Sequence, residues 1–377
     1  MTDLREILSS HVDAGTLPGA VGIVARGERM EVAAVGAMAL GGPPMTRDSI
    51  FRIASITKPI TAAAVMTLVE DGLLALDSPV REWLPELSSP MVLRTPSSPL
   101  DDVVPAVRPI TVFDLLSAQA GFGFAADFSL PGVRALAGVQ RDGREPQSFP
   151  PPDEWMAALG RLPLLYQPGE SWLYDTCSAV QGVLVARVTG ETLPDYVASR
   201  LLEPLGMVDS GYVVPPGSLD RFTSYYRTDL SLADAPDGQW STMPAFPLGS
   251  GGMVGTADDW LSFGEMLLSG GVTASGRRVL SPESVSLMTT DHTTPAHREI
   301  GSLFLEGQGW GFGGGVDISR QDPWNVPGRY GWVGGTGTTA HIIPATGTVA
   351  VLLAQVATED PVPPKWMRDF WLYAANS

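Results

Sequence analysis

Short apolar runs lie at both ends of this chain and helix-period patterns fill its middle. Residues 19–25 and 30–37 are mostly apolar stretches split by Arg26-Gly27-Glu28-Arg29, which predicts two strands of a hairpin. Residues 309–318, 330–334, 338–343 and 348–355 return to strand-sized runs, and 370–375 reads as a closing helix. Between them the apolar spacing predicts helices over 60–72, 111–119, 153–159, 179–188, 193–202 and 257–268. Residues 121–152 and 211–247 show little periodicity, and loops of that size in a compact domain usually shape a binding site. Strands at both ends with helices between them predict an α/β (α+β) protein, in which one antiparallel sheet is assembled from the two ends of the chain. A single domain over 1–377 is expected, with a sheet subdomain at about 1–55 and 295–377, a mostly helical one at about 56–294, and the cleft between them.

Composition narrows the class. With 44% hydrophobic and 17% charged residues among 377, the chain can bury a large core. A formal charge of −17 and no basic run argue against nucleic acid and anionic membrane surfaces as partners. Apolar runs stay well short of the ~20 residues that a membrane-crossing helix needs. The opening Met1-Thr2-Asp3-Leu4-Arg5-Glu6 begins an acidic amphipathic helix without the features of a secretory signal, so a cytoplasmic location is expected. Oligomeric state is not legible.

One cysteine, Cys177, excludes an internal disulfide and a thiolate metal cluster; apolar neighbours make it a buried packing residue. The four histidines are scattered, with His292 and His297 at poor metal-ligand spacing, and no metal or organic cofactor is expected. No G-x-S-x-G elbow is present.

The chemistry concentrates elsewhere. Only two lysines occur against twenty-two arginines, and one of them, Lys58, stands three residues after Ser55 in Ser55-Ile56-Thr57-Lys58. At that spacing on a helix start the two side chains share a face. Arginine stays charged, whereas a desolvated lysine can become a neutral amine and take a proton from a hydroxyl. Two further segments offer matching chemistry: Trp172-Leu173-Tyr174-Asp175-Thr176, and Trp332-Val333-Gly334-Gly335-Thr336-Gly337 late in the chain.

Together these segments resemble the serine β-lactamase and penicillin-binding-protein superfamily, in its class C β-lactamase-like branch, which includes the family VIII carboxylesterases. Leu17-Pro18-Gly19, Asp77-Ser78-Pro79-Val80, Pro204-Leu205-Gly206-Met207 and Gly251-Gly252-Met253-Val254-Gly255-Thr256 extend the likeness over almost the whole chain. The resemblance implies a β-lactamase/transpeptidase-like fold, with Ser55 as acyl-accepting nucleophile and Lys58 as base or proton relay. It makes Tyr174, the tyrosine of the Y-x-N element, a general base through its phenolate. Which of the two first takes the serine proton stays open. The Ser55 and Gly335 N–H groups are implied as the oxyanion hole, with Gly334 and Gly335 letting substrate approach the strand.

Two departures from the family pattern carry functional meaning. Where relatives have K-T-G, this chain has Trp332-Val333-Gly334, which cannot hold a substrate carboxylate by charge-assisted bonds; an indole offers an apolar face and one donor. Where relatives have the Y-x-N asparagine, Thr176 stands, which weakens recognition of a substrate amide. A carboxylesterase acting on small to medium neutral esters through an acyl-Ser55 intermediate is therefore expected. Rivals are a β-lactamase, a D-amino-acid amidase or peptidase, an acyltransferase, or a catalytically silent ligand-binding protein on the same scaffold.

Overall fold

The computed structural model describes residues 3–377. Its centre is a seven-stranded antiparallel sheet. In chain order the strands are β1 (Gly19–Arg26), β2 (Arg29–Gly36), β3 (Gly309–Trp310), β4 (Gly315–Val316), β5 (Tyr330–Gly334), β6 (Thr338–Ile343) and β7 (Thr348–Ala354). In space they run β2-β1-β7-β6-β5-β4-β3, so the first hairpin is joined to the rest through β1 against β7, with Ile23 opposite Val351.

Both faces of the central strands are covered, which is why they read as continuous apolar runs rather than alternations. Ala20, Val24, Ala350 and Leu352 pack under α1 (Leu4–Asp13) and the C-terminal helix Lys365–Asn376, against Leu4, Leu8, Met367 and Phe370. Val21, Ile23, Val349 and Val351 face the opposite way, into the large core shared with the helical region. Asp3 caps α1 through a reciprocal capping box with Glu6. The sequence reading starts this helix at Met1; Met1 and Thr2 lie outside the described residues.

Two helices form the middle of the helical region: α2 (Lys58–Glu70) and α3 (Thr176–Thr189). Every residue of α2 from Lys58 to Leu68 is buried, as is every residue of α3 from Thr176 to Val185. A helix apolar all round belongs in the interior, and these two pack against each other with their N-termini at the cleft.

Elsewhere the structure departs from the expected elements. The 111–119 helix is only Val112–Leu116, capped by Thr111, and 193–202 divides into an α segment Leu193–Val197 and a π-helical turn Ala198–Leu202. The stretch 121–152, expected as loop, contains the helix Pro131–Gln140. Residues 309–318 are not one strand: the chain breaks at Gly313, whose φ of +78° suits glycine and where a Cβ would lie 2.5 Å from the Lys58 carbonyl oxygen. The final helix begins at Lys365 rather than 370 because Pro364 sets its start. No helix among the described residues is long and apolar enough to cross a membrane.

Candidate active site

Ser55 sits in a one-turn 3-10 helix, Ala54–Thr57, that runs directly into α2. The turn is strained at its entrance, where Ala54 adopts φ +47°. It is pinned from the sheet side: the Thr338 hydroxyl donates to the Ile53 carbonyl at 2.8 Å, and the Thr336 hydroxyl donates to Arg52 O at 2.5 Å. Arg52 is itself buried, its guanidinium paired with Asp234 at 2.5 Å and stacked over Phe222 at 4.1 Å. The segment 211–247 thus anchors the strand leading to the serine. Contrary to expectation, none of its residues lines the cleft.

Two of the predicted residues meet at the hydroxyl of a third, Ser55. Lys58 Nζ lies 2.9 Å from Ser55 Oγ, and the Tyr174 hydroxyl lies 3.0 Å from the same oxygen. Lys58 is fully buried and also donates to the Ser250 carbonyl at 2.6 Å. Burial opposes its charge, but Asp175 and Tyr174 outweigh burial and hold the amine above the ordinary lysine range. Of the two roles left open for Lys58, base or proton relay, a charged amine favours the relay.

Tyr174 is positioned by its backbone and by its ring. Its N–H and C=O exchange hydrogen bonds with Phe124 at 2.9 and 3.0 Å, and the ring stacks on Phe304 at 4.7 Å. Trp332, on β5, donates its indole N–H to the Tyr174 hydroxyl at 2.9 Å and meets Trp310 edge-to-face at 4.6 Å. Its donor is therefore taken within the protein, and its ring is what it presents to the cleft. Val333 also lines that space.

Two expectations are corrected. Thr176 is fully buried and absent from the cavity wall, because it begins α3 and points into the core; Asp175, one residue earlier, faces the cleft instead. Gly334 does not meet substrate either: a Cβ there would come 2.1 Å from Thr338 Oγ1 and 2.7 Å from Ile53 O, so it exists to let β5 close on the serine turn. Gly335 does line the cavity and has open space above it, the nearest atom being Thr358 Oγ1 at 3.9 Å. Gly334→Ala should therefore destabilise the fold by about 1–3 kcal/mol, as overpacking does, while Gly335→Ala leaves stability unchanged. Parallel denaturant titrations check this; equal midpoints for the two variants would refute it.

The cleft encloses about 310 Å³. Phe124, Phe128, Tyr174, Phe304 and Trp332 give it an aromatic wall, and its charged lining is Asp142, Asp175, Glu359 and Asp360 against Arg144. The 121–152 segment contributes as expected; the contributions of Phe304 and of 358–363 were not foreseen. Asp175, which ion-pairs with Lys58 at 2.6 Å, was also missed, although an acid directly after the tyrosine at the head of an apolar helix was a visible signal. Cys177 lies behind the site, buried, its thiol pushed by burial up to about 12, and acts as packing. No group of three or more His, Cys, Asp or Glu among the described residues is placed to hold a metal ion.

The pattern of the Beta-lactamase family matches residues 4–370. Protein Rv1367c of Mycobacterium tuberculosis is 39% identical over 359 residues, covering 91% of this chain and 87% of that protein. Esterase EstB of Burkholderia gladioli is 32% identical over 371 residues, with 91% and 87% covered. Among solved structures, EstCE1, described as a hydrolase with promiscuous acyltransferase activity, superposes with a TM-score of 0.80 at 25% identity, over 98% of this chain and 97% of that one.

Proposed function

This chain belongs to the Beta-lactamase family, and we propose that within it the protein is a carboxylesterase that cleaves small to medium neutral esters through an acyl-Ser55 intermediate. The observation that carries this reading is the Ser55 hydroxyl held at 2.9 Å from Lys58 and 3.0 Å from Tyr174 at the base of an aromatic cleft. Hydroxyl, amine and phenol at these distances can share protons around an attacked carbonyl. The Ser55 and Gly335 N–H groups would receive the oxyanion, each such donor being worth roughly 3 kcal/mol in the transition state. Side chains and backbone thus supply the chemistry, without a metal or organic cofactor.

The choice of a neutral ester follows from the lining. Arg144 is already paired with Asp142 and Lys58 with Asp175, which leaves Glu359 and Asp360 as the remaining charges of the lining, and the aromatic wall has no amine where Trp332 stands. An anionic substrate would meet repulsion and find little to bind its charge. An ester also has a better leaving group than an amide and needs less recognition of its flanking atoms. EstB bears the name of an esterase, which supports an ester as the substrate. The description of EstCE1 favours a second outcome of the same intermediate, transfer of the acyl group to an alcohol.

A p-nitrophenyl ester series assayed beside nitrocefin and a D-alanyl amide tests the reading. Esters should turn over fastest; nitrocefin outpacing every ester would overturn it. Added alcohol then reports how acyl-Ser55 divides between hydrolysis and transfer.

A further inference from the structure

Two protonation states fit the contacts of Lys58. An ammonium can donate to all three neighbouring oxygens, Ser55 Oγ at 2.9 Å, Ser250 O at 2.6 Å and Asp175 Oδ1 at 2.6 Å. A neutral amine could instead donate to the carbonyl and the carboxylate and accept the Ser55 proton on its lone pair. The first state makes Lys58 a fixed donor, and the second makes it the base. What separates them is the charge of Asp175.

The backbone delivers that charge at a cost. Asp175 has φ +78° and ψ −60°, and the Thr176 N–H donates to the Tyr174 carbonyl at 3.1 Å, closing a three-residue γ-turn of the positive-φ kind. Such turns are rare and strained for residues with a side chain, and strain of this kind concentrates at functional sites. The turn faces the tyrosine ring and the aspartate carboxylate toward one amine, with Lys58 Nζ 4.8 Å from the ring centroid. The other carboxylate oxygen of Asp175 accepts from Gln140 Nε2 at 2.8 Å, which fixes its orientation from the helix Pro131–Gln140. Asp175 and Tyr174 are the groups whose charge bears on Lys58; the remaining neighbours, the Ser55 hydroxyl and the Ser250 carbonyl, are uncharged.

We propose that Asp175 is a positioning residue for proton transfer, which holds Lys58 as an ammonium donor and leaves the Tyr174 oxygen to take the Ser55 proton. This rests on the acyl-serine reading above. As Ser55 Oγ bonds to the ester carbon, its proton moves to the deprotonated Tyr174 oxygen. When the carbon–alkoxy bond breaks, Tyr174 returns that proton to the departing alkoxide. Water then repeats the sequence: its proton goes to Tyr174, its oxygen to the acyl carbon, and the proton passes to Ser55 Oγ as the acyl–serine bond breaks. Lys58 stays charged throughout, donating to Ser55 Oγ. Without Asp175, burial would draw Lys58 toward the neutral amine and change which group is the base.

The scarcity of lysine makes the test direct. Protein labelled with 13C at the lysine ε-carbon carries two such positions, Lys58 and the exposed Lys365, whose side chain is 81% accessible and serves as internal reference. In the wild type the Lys58 signal should remain that of an ammonium through and beyond the titration of Lys365. In Asp175→Asn its titration should move down by about one pH unit or more, the scale of losing an opposite charge at contact. The pH profile of fluorophosphonate labelling at Ser55 should move down with it, since removing a negative charge lowers the titration of each neighbour. Asp175→Gly removes the same carboxylate while suiting the positive φ, so it should fold and show the same shift. An unmoved Lys58 titration, or an unmoved labelling profile despite a moved titration, would overturn the proposal. A wild-type Ser55 that never reacts with the fluorophosphonate would sink the acyl-serine reading instead, while the lysine signals would still judge the ion pair.

Discussion

Ester turnover by the Ser55→Ala protein should fall by about 10⁴-fold or more, to the residual rate that oxyanion donors and binding alone sustain. The deletion removes one oxygen, the one on which the amine and the phenol converge at 2.9 and 3.0 Å. Nothing else in the cleft is built to replace it: Cys177 is buried with a thiol that resists ionisation. The fold should survive. Lys58 keeps Ser250 and Asp175 as acceptors, and the turn is still pinned through the carbonyls of Arg52 and Ile53 rather than through the serine side chain. Steady-state rates, calorimetric melting and mass spectrometry after fluorophosphonate treatment check the three parts. Turnover within about tenfold of wild type would place the chemistry elsewhere.

Tyr174→Phe is the sharper probe of mechanism. The ring would keep its stacking on Phe304, so the cleft wall stays in place and KM should change little. What disappears is the hydroxyl that meets Ser55 Oγ at 3.0 Å, and kcat should fall by about 10²–10⁴-fold, the usual contribution of a positioned acid–base group. The same oxygen accepts the Trp332 indole N–H at 2.9 Å, and Trp332 is nearly buried. Leaving that donor unsatisfied should cost about 1–3 kcal/mol of stability, which a denaturant midpoint would register. A kcat close to wild type would remove Tyr174 from proton transfer and return the role to Lys58.

How far the site could be read from sequence depends on distance along the chain. Ser55 and Lys58 are three residues apart on one turn, so their meeting is a matter of helix geometry. Tyr174 lies far away in sequence, and its place beside them came through the resemblance rather than through any local rule. Thr176 was read as facing substrate because the family pattern counts two residues on from the tyrosine. The γ-turn at Asp175 rotates the chain so that one residue on faces the cleft and two on face the core. That turn uses a backbone conformation that no propensity favours for aspartate. For the same reason, the charge state of Lys58 stayed open: desolvation is visible in a buried apolar helix and the acid after Tyr174 is visible in the sequence, but the turn that brings the two together is not.

For the fold, the central strands were legible because burial on both faces makes them uninterrupted apolar runs. The helix Pro131–Gln140 was not, since it contains Gly132 and Gly138 and buries little besides Val133, Leu136 and Gln140. Phe304 and the stretch 358–363 reach the cleft through tertiary packing alone, which leaves no periodic trace.

The joining of β1 to β7 has a consequence for when the serine turn is fixed during synthesis. The serine turn is made early, yet the hydroxyls of Thr336 and Thr338 that fix it and the strand that closes the sheet are translated hundreds of residues later. Contacts of such long range form late and slowly. A nascent chain therefore holds the Ser55 turn unpinned until the late strands have been made and seat against the early hairpin.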